Sequence, residues 1–189
     1  MSGLCKTKID LLEVLWRVDK PISIRDLAKK ADLKTRSVNM HLINMRRSGH
    51  VAPVGSGLYI ITDLGKKAIG LPEIDAEKAG KILSAVPQEK AFKFYRGINE
   101  PLGVFSNSLK DFLERIKEID IKSIEFHVSR GDFELWIHFL GDIELAKRLR
   151  IIRELNLSGE ELRNEIYNAL KSRYEYLEKI SVSTSTNQK

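Results

Sequence analysis

Cysteine is almost missing from this chain: Cys5 is the only one in 189 residues. No intrachain disulfide can form, and such usage fits an intracellular protein better than a secreted, cross-linked one. Long apolar runs are missing too. None approaches the roughly 18 residues needed to span a bilayer, and the N-terminus has no signal-peptide core, so a cytoplasmic protein without a membrane partner is expected. The four histidines and the lone cysteine nowhere take metal-ligand spacing. A phosphate loop, a nucleophile elbow and internal repeats are also absent. Carboxylates are plentiful, but they lie on helix faces with bases beside them, the usual solvated arrangement. Arg130-Gly131-Asp132 spells the integrin-binding tripeptide, which has no meaning for an intracellular chain. No enzyme, metal or cofactor is expected.

What is present is unevenly placed. The formal net charge is +6. Residues 1–70 hold thirteen Lys and Arg against six Asp and Glu, and the remainder holds nineteen against twenty. The whole basic excess therefore sits in the first third, as expected if that part meets a polyanion and the rest does not. A solvated basic surface with no partner would carry the same charge.

In the first third, Ile9, Leu12, Leu15 and Trp16 recur at spacings of three and four within Lys6 to Val18, one face of a helix. Asp19-Lys20-Pro21 ends it. Ile22-Ser23-Ile24 reads as a short extended segment, with Ser23 able to cap a helix to Ala31. Asp32-Leu33-Lys34 makes a turn, the next helix runs from about Thr35 to Ser48, and Gly49 stops it. Val51 to Val54 and Leu58 to Ile61, separated by Gly55-Ser56-Gly57, give a hairpin signal. Thr62 can cap a last helix, Asp63 to Ile69. With Leu27-Ala28, Ser37-Val38, His41-Leu42 and Gly49-His50-Val51, residues 5–70 resemble the small winged helix-turn-helix transcription regulators of archaea and bacteria. That resemblance implies a domain over residues 1–71 that binds double-stranded DNA.

The helix from Thr35 has two faces. Setting Val38 at zero and advancing about 100° per residue, Leu42 and Met45 fall close to it and should face the domain core. Arg36, Met40, Ile43, Asn44 and Arg47 lie opposite, with Ser37 and Asn39 on the flanks. Arg reads guanine, Asn reads adenine and methyl-bearing groups touch thymine in a major groove. Arg36, Ser37, Asn39, Met40 and Asn44 are therefore the expected base-reading residues, and Lys34, Arg46 and Arg47 the expected phosphate contacts. His41 is expected to pack at the helix flank. Met40 and Ile43 are apolar on an otherwise wet face, which suits a partner of either kind, DNA or protein. The wing resembled here departs from many in the family, because its tip carries no Lys or Arg.

Residues 72–90, including Ala76 to Val86, read as a connecting helix and linker. Beyond them a mostly helical domain is expected over 91–180. Phe92, Phe94 and Tyr95 followed by Leu102 and Val104 fit a small β-hairpin, although aromatics in a row fit other folds as well. Ser108 and Asp111 open a helix striped by Leu109, Phe112, Leu113 and Ile116. Residues 121–129 alternate like a strand at Ile124, Phe126 and Val128, yet Ile121, Ile124 and Val128 also suit a helix, which is the preferred reading. Asp132 can cap a helix facing inward through Phe133, Trp136, Ile137 and Leu140, and Asp142 starts another. Ser158-Gly159-Glu160-Glu161 reads as a capping box for the longest helix, to about Ile180. Its stripe Leu162, Ile166, Leu170, Tyr174, Leu177 is either a dimer interface or the packing face of its own domain. Residues 181–189 read as a polar, disordered tail.

The string from Ser123 to Ile137, with Phe94-Tyr95-Arg96-Gly97 and Ser108-Leu109, resembles an archaeal domain of unknown function that carries a His-x-x-Arg-Gly-Asp-Phe-x-x-Trp-Ile pattern. The resemblance implies a domain and no activity. Within it His127 and Arg130 form a candidate ligand or partner site, with Arg130 holding an anion or a carboxylate. The alternative, which is preferred, is structural: Asp132 as helix cap, Arg130 paired with an acid, Trp136 in the core. The chain thus reads as mainly α with a small β content. As a whole it reads as a sequence-specific DNA-binding transcription regulator that dimerises to reach two half-sites. The rival is an adaptor whose winged helix binds a protein of the transcription machinery.

Overall fold

Leu11, Leu12, Leu15 and Trp16 are the buried side of the first helix, α1 (Lys6–Val18), in a computed structural model that describes residues 4–182. Leu11 occupies the inward place expected of Ile9, which is half-buried. The chain divides into two compact units, one through Glu73 and one from Ile74.

In the first unit β1 (Ile22–Ser23) leads into α2 (Ile24–Lys30), whose N-terminus is capped by Ser23 Oγ accepting from the Asp26 N–H at 3.1 Å. Asp32, at φ 51°, turns the chain into α3 (Thr35–Arg47). Asp is among the few side chains that tolerate this left-handed conformation. Past Gly49, at φ 76°, come β2 (Val51–Pro53), β3 (Leu58–Ile61) and α4 (Asp63–Ala68), the last capped by Thr62 Oγ1. The three strands form an antiparallel sheet in the order β1-β3-β2, with Ile22 opposite Tyr59 and Val51 opposite Ile61. Val38, Leu42 and Met45 of α3 are fully buried against Leu11, Leu12 and Leu15 of α1, Leu27 of α2 and Val51.

The second unit begins with α5 (Ala76–Leu83), followed by the hairpin β4 (Phe92–Gly97) and β5 (Glu100–Ser106). Five helices complete it: α6 (Leu109–Glu118), α7 (Ile121–Arg130), α8 (Asp132–Phe139), α9 (Ile143–Glu154) and α10 (Gly159–Val182). The chain is therefore mainly helical, with one small antiparallel sheet in each unit. Residues 121–130 are helical because Ser123, Ile124 and His127 share the inward face. The core joins an aromatic cluster of Phe92, Phe94, Phe112, Phe133 and Trp136 to the aliphatic face of α10.

Two expectations are corrected. α5 ends at Leu83, short of Val86, and its Ala79 and Ile82 are buried in the second core. Residues 74–90 are thus part of that unit and not a linker. Of the two readings of the α10 stripe the internal one is seen: Leu162, Ile166, Leu170 and Leu177 are buried against α5, α6, α7 and α9, with Tyr174 half-buried. The helix also runs through Ser181 and Val182, where a tail was expected; residues 183–189 of that tail lie outside the described residues.

Candidate functional site

Burial of Val38, Leu42 and Met45 fixes the rotation of α3, since side chains about 3.6 residues apart share a face. The opposite face presents Arg36, Asn39, Asn44 and Arg47, all exposed, with Arg46 exposed beside them, and Ser37 and His41 half-buried on the flanks. Met40 is 64% and Ile43 40% exposed on this same side. Lys34 is the N-cap residue and makes no side-chain cap, and the first turn of α3 has no acidic residue. The positive end of the helix dipole is therefore left open beside two cations, Lys34 and Arg36, an arrangement that favours an anion. Arg46 and Arg47 sit in the last turn, where a cation also complements the dipole.

Among the described residues Lys34, Arg36, Arg46 and Arg47 have no carboxylate partner. Lys66 and Lys67, in the last turn of α4, pair with Asp63 and Glu73. The second unit is different. Arg96, Arg115, Arg130, Arg150, Arg153 and Arg163 are each within ion-pair distance of a carboxylate. Basic residues in that unit are largely neutralised, and those of α3 are not.

The second group is around His127, which is 3% exposed although polar. Its Nε2 accepts the Tyr95 backbone N–H at 2.8 Å, so the neutral ring carries its proton on Nδ1 and donates it to Asp132 Oδ2 at 2.8 Å. Burial pushes the imidazole below its ordinary pKa, outweighing the opposite pull of the Asp132 carboxylate. The same Oδ2 accepts Arg130 Nε at 3.0 Å, and the guanidinium lies 5.2 Å from the Phe126 ring centroid. His127 and Arg130 are thus brought together by one carboxylate. Asp132 is not the helix cap: Gly131, at φ 74°, ends α7 and precedes α8, which places Asp132 in the first turn. Trp136 stands apart, its indole N–H donating to the Lys90 carbonyl at 3.1 Å.

Residues 63–171 match a family of unknown function (DUF5752), well over half of the chain. The chain belongs to that family. No curated protein and no solved structure matches it. The DUF5752 stretch holds the His127 cluster and the second unit as far as Lys171 in α10, together with α4, but it does not reach α3.

The second unit also contains a buried ion-pair triad that the sequence did not suggest. Asp142, fully buried, receives Arg173 Nε at 2.7 Å and Nη2 at 2.9 Å, while Arg173 Nη1 donates to Glu144 Oε2 at 2.6 Å. Asp142 Oδ1 also caps α9 by accepting the Leu145 N–H. Burial works against the charge of Arg173, but the two carboxylates outweigh it and its pKa is raised. The triad ties α9 to α10.

Proposed function

We propose that residues 4–73 are a winged helix-turn-helix domain and that the protein is a sequence-specific DNA-binding transcription regulator acting as a homodimer. The reading is supported by the element order helix, strand, helix, turn, helix, hairpin, with the short β1 paired to the second hairpin strand. The observation that carries it is the outward face of α3: unpaired Lys34, Arg36, Arg46 and Arg47, with Asn39 and Asn44, on a helix whose rotation is fixed by three buried residues. Arg36, Ser37, Asn39, Met40 and Asn44 read base edges, and Lys34, Arg46 and Arg47 hold phosphates. The Gly55-Ser56-Gly57 turn adds no cation, so α3 supplies most of the contact. The DUF5752 unit provides dimerisation, sensing or recruitment.

A selection of binding sites from random duplexes tests this reading. The wild type should enrich one motif, and the Arg36→Ala/Asn39→Ala pair should lose about 1–3 kcal/mol of base discrimination while it still binds DNA. An unchanged motif and affinity would remove those two residues from base readout. The exposure of Met40 and Ile43 supports a second reading, an adaptor that presents α3 to a protein of the transcription machinery. Binding to such a protein that is insensitive to salt, without a shift of any DNA, would favour the adaptor.

A further inference from the structure

We propose that the cavity between the β4–β5 turn and α7 binds a small aromatic monocarboxylate. This inference does not rest on DNA binding. The cavity measures about 340 Å³ and is walled by Phe92, Tyr95, Ile98 and Phe126, with Lys93 and Arg130 at its polar side. That volume is at the small end of the roughly 300–1,000 Å³ typical of ligand sites, whose walls are mainly apolar with a few placed polar groups.

Three features give the cavity its chemistry. Arg130 is held twice, by Nε on Asp132 and by its stacking on Phe126, while its side chain remains 53% exposed. Its two Nη groups have no protein acceptor among the described residues, so a pre-positioned fork is left for a carboxylate. The charges facing the cavity are Lys93 and Arg130 against Asp132, with His127 neutral, a net of one positive charge. A single anionic group balances it; a doubly charged phosphate would not be neutralised. The remaining walls are mainly aromatic rings, with Gly97, Asn99 and Ile98, the last 78% exposed with no protein covering it. A flat apolar body would fill that space.

The hairpin is shaped toward this opening. The β4–β5 register shifts on both sides of Tyr95, which lies opposite Pro101, a residue without an N–H. The Tyr95 N–H turns to His127 instead of the ladder, and irregularities of this kind recur beside functional sites.

The test is an NMR titration of the full chain with benzoate near pH 7.5, following the backbone amides of Tyr95, Ile98 and Asn99 and the Arg130 Nε–H. Saturable shifts centred on these groups are expected, with benzyl alcohol and acetate each at least tenfold weaker. Arg130→Gln should weaken benzoate about tenfold or more. Lys93→Glu reverses an exposed charge that folding does not need and should weaken binding about threefold or more. Four results would overturn the proposal: no saturable shift, equal affinity for benzoate and benzyl alcohol, tighter binding of inorganic phosphate, or unchanged affinity in folded Lys93→Glu.

Discussion

Replacing Arg173 by Met should be among the most damaging single changes in the second unit. The guanidinium makes three charge-assisted hydrogen bonds of 2.6–2.9 Å to two carboxylates that are 0% and 6% exposed. Met fills much of the same volume, so the loss is electrostatic: Asp142 and Glu144, both buried, lose the guanidinium that bridges them. Breaking a buried ion pair from one side costs about 3–5 kcal/mol. At roughly 4 °C per kcal/mol for a unit of this size, the thermal midpoint should fall by about 12–20 °C. Urea unfolding followed by circular dichroism measures the free energy, and calorimetry the midpoint. The deficit should shrink as pH falls, because protonating the stranded carboxylates removes the buried charge. Adding Asp142→Asn, which keeps an α9 cap, and Glu144→Leu should recover most of the loss. A cost of Arg173→Met below about 1 kcal/mol, or one independent of pH, would refute the reasoning.

His127 predicts a further pH effect. Its folded pKa lies below the ordinary 6.5, so the unfolded chain binds the proton more readily and stability falls as pH drops below about 6.5. His127→Gln should flatten that part of the urea-midpoint profile; a wild-type profile that does not decline relative to the variant would contradict the assignment. Gly65→Ala should cost about 1–3 kcal/mol in the first unit. An added Cβ would collide with the His50 carbonyl oxygen, already held by the Thr62 N–H, and come within 2.7 Å of Ile61 Cγ1. Unaltered stability of this variant in urea would show that the β2 end and α4 shift freely.

Features written within a few residues of one another were legible in the sequence. The caps Ser23, Thr62, Ser108 and Asp142 each accept a backbone N–H three residues on, as their spacing implies. The rotation of α3 followed from Val38, Leu42 and Met45 alone. Features that depend on distant partners were not legible. Ala79 and Ile82 are too few apolar residues to say what α5 packs on, and its core role appears only once α10 lies against it. Asp142 was legible as a cap, but its partner Arg173 is 31 residues away and on its own helix looks like an ordinary solvated charge. Asp132 has the sequence position of a cap, but Gly131 already serves both adjoining helices, which frees the carboxylate for His127 and Arg130. Around the cavity the sequence pointed to His127 and Arg130; Tyr95 and Phe126 lay in the strings that carry the resemblance but had no site role, and Lys93 and Ile98 had no signal because the hairpin brings them there.

The central claim is that α3 meets DNA, and the salt dependence of binding tests it most directly. Fluorescence anisotropy with a labelled duplex, taken across a range of salt concentrations, gives the slope of log affinity against log salt. Each phosphate contact contributes about 0.9 to that slope, so substituting the three phosphate-contacting residues Lys34, Arg46 and Arg47 by Ala should flatten it by about 3 per bound protomer and weaken binding at low salt. A triple variant that folds, binds as tightly as the wild type and shows the same slope would contradict the claim, as would a wild-type protein that binds no duplex at low salt.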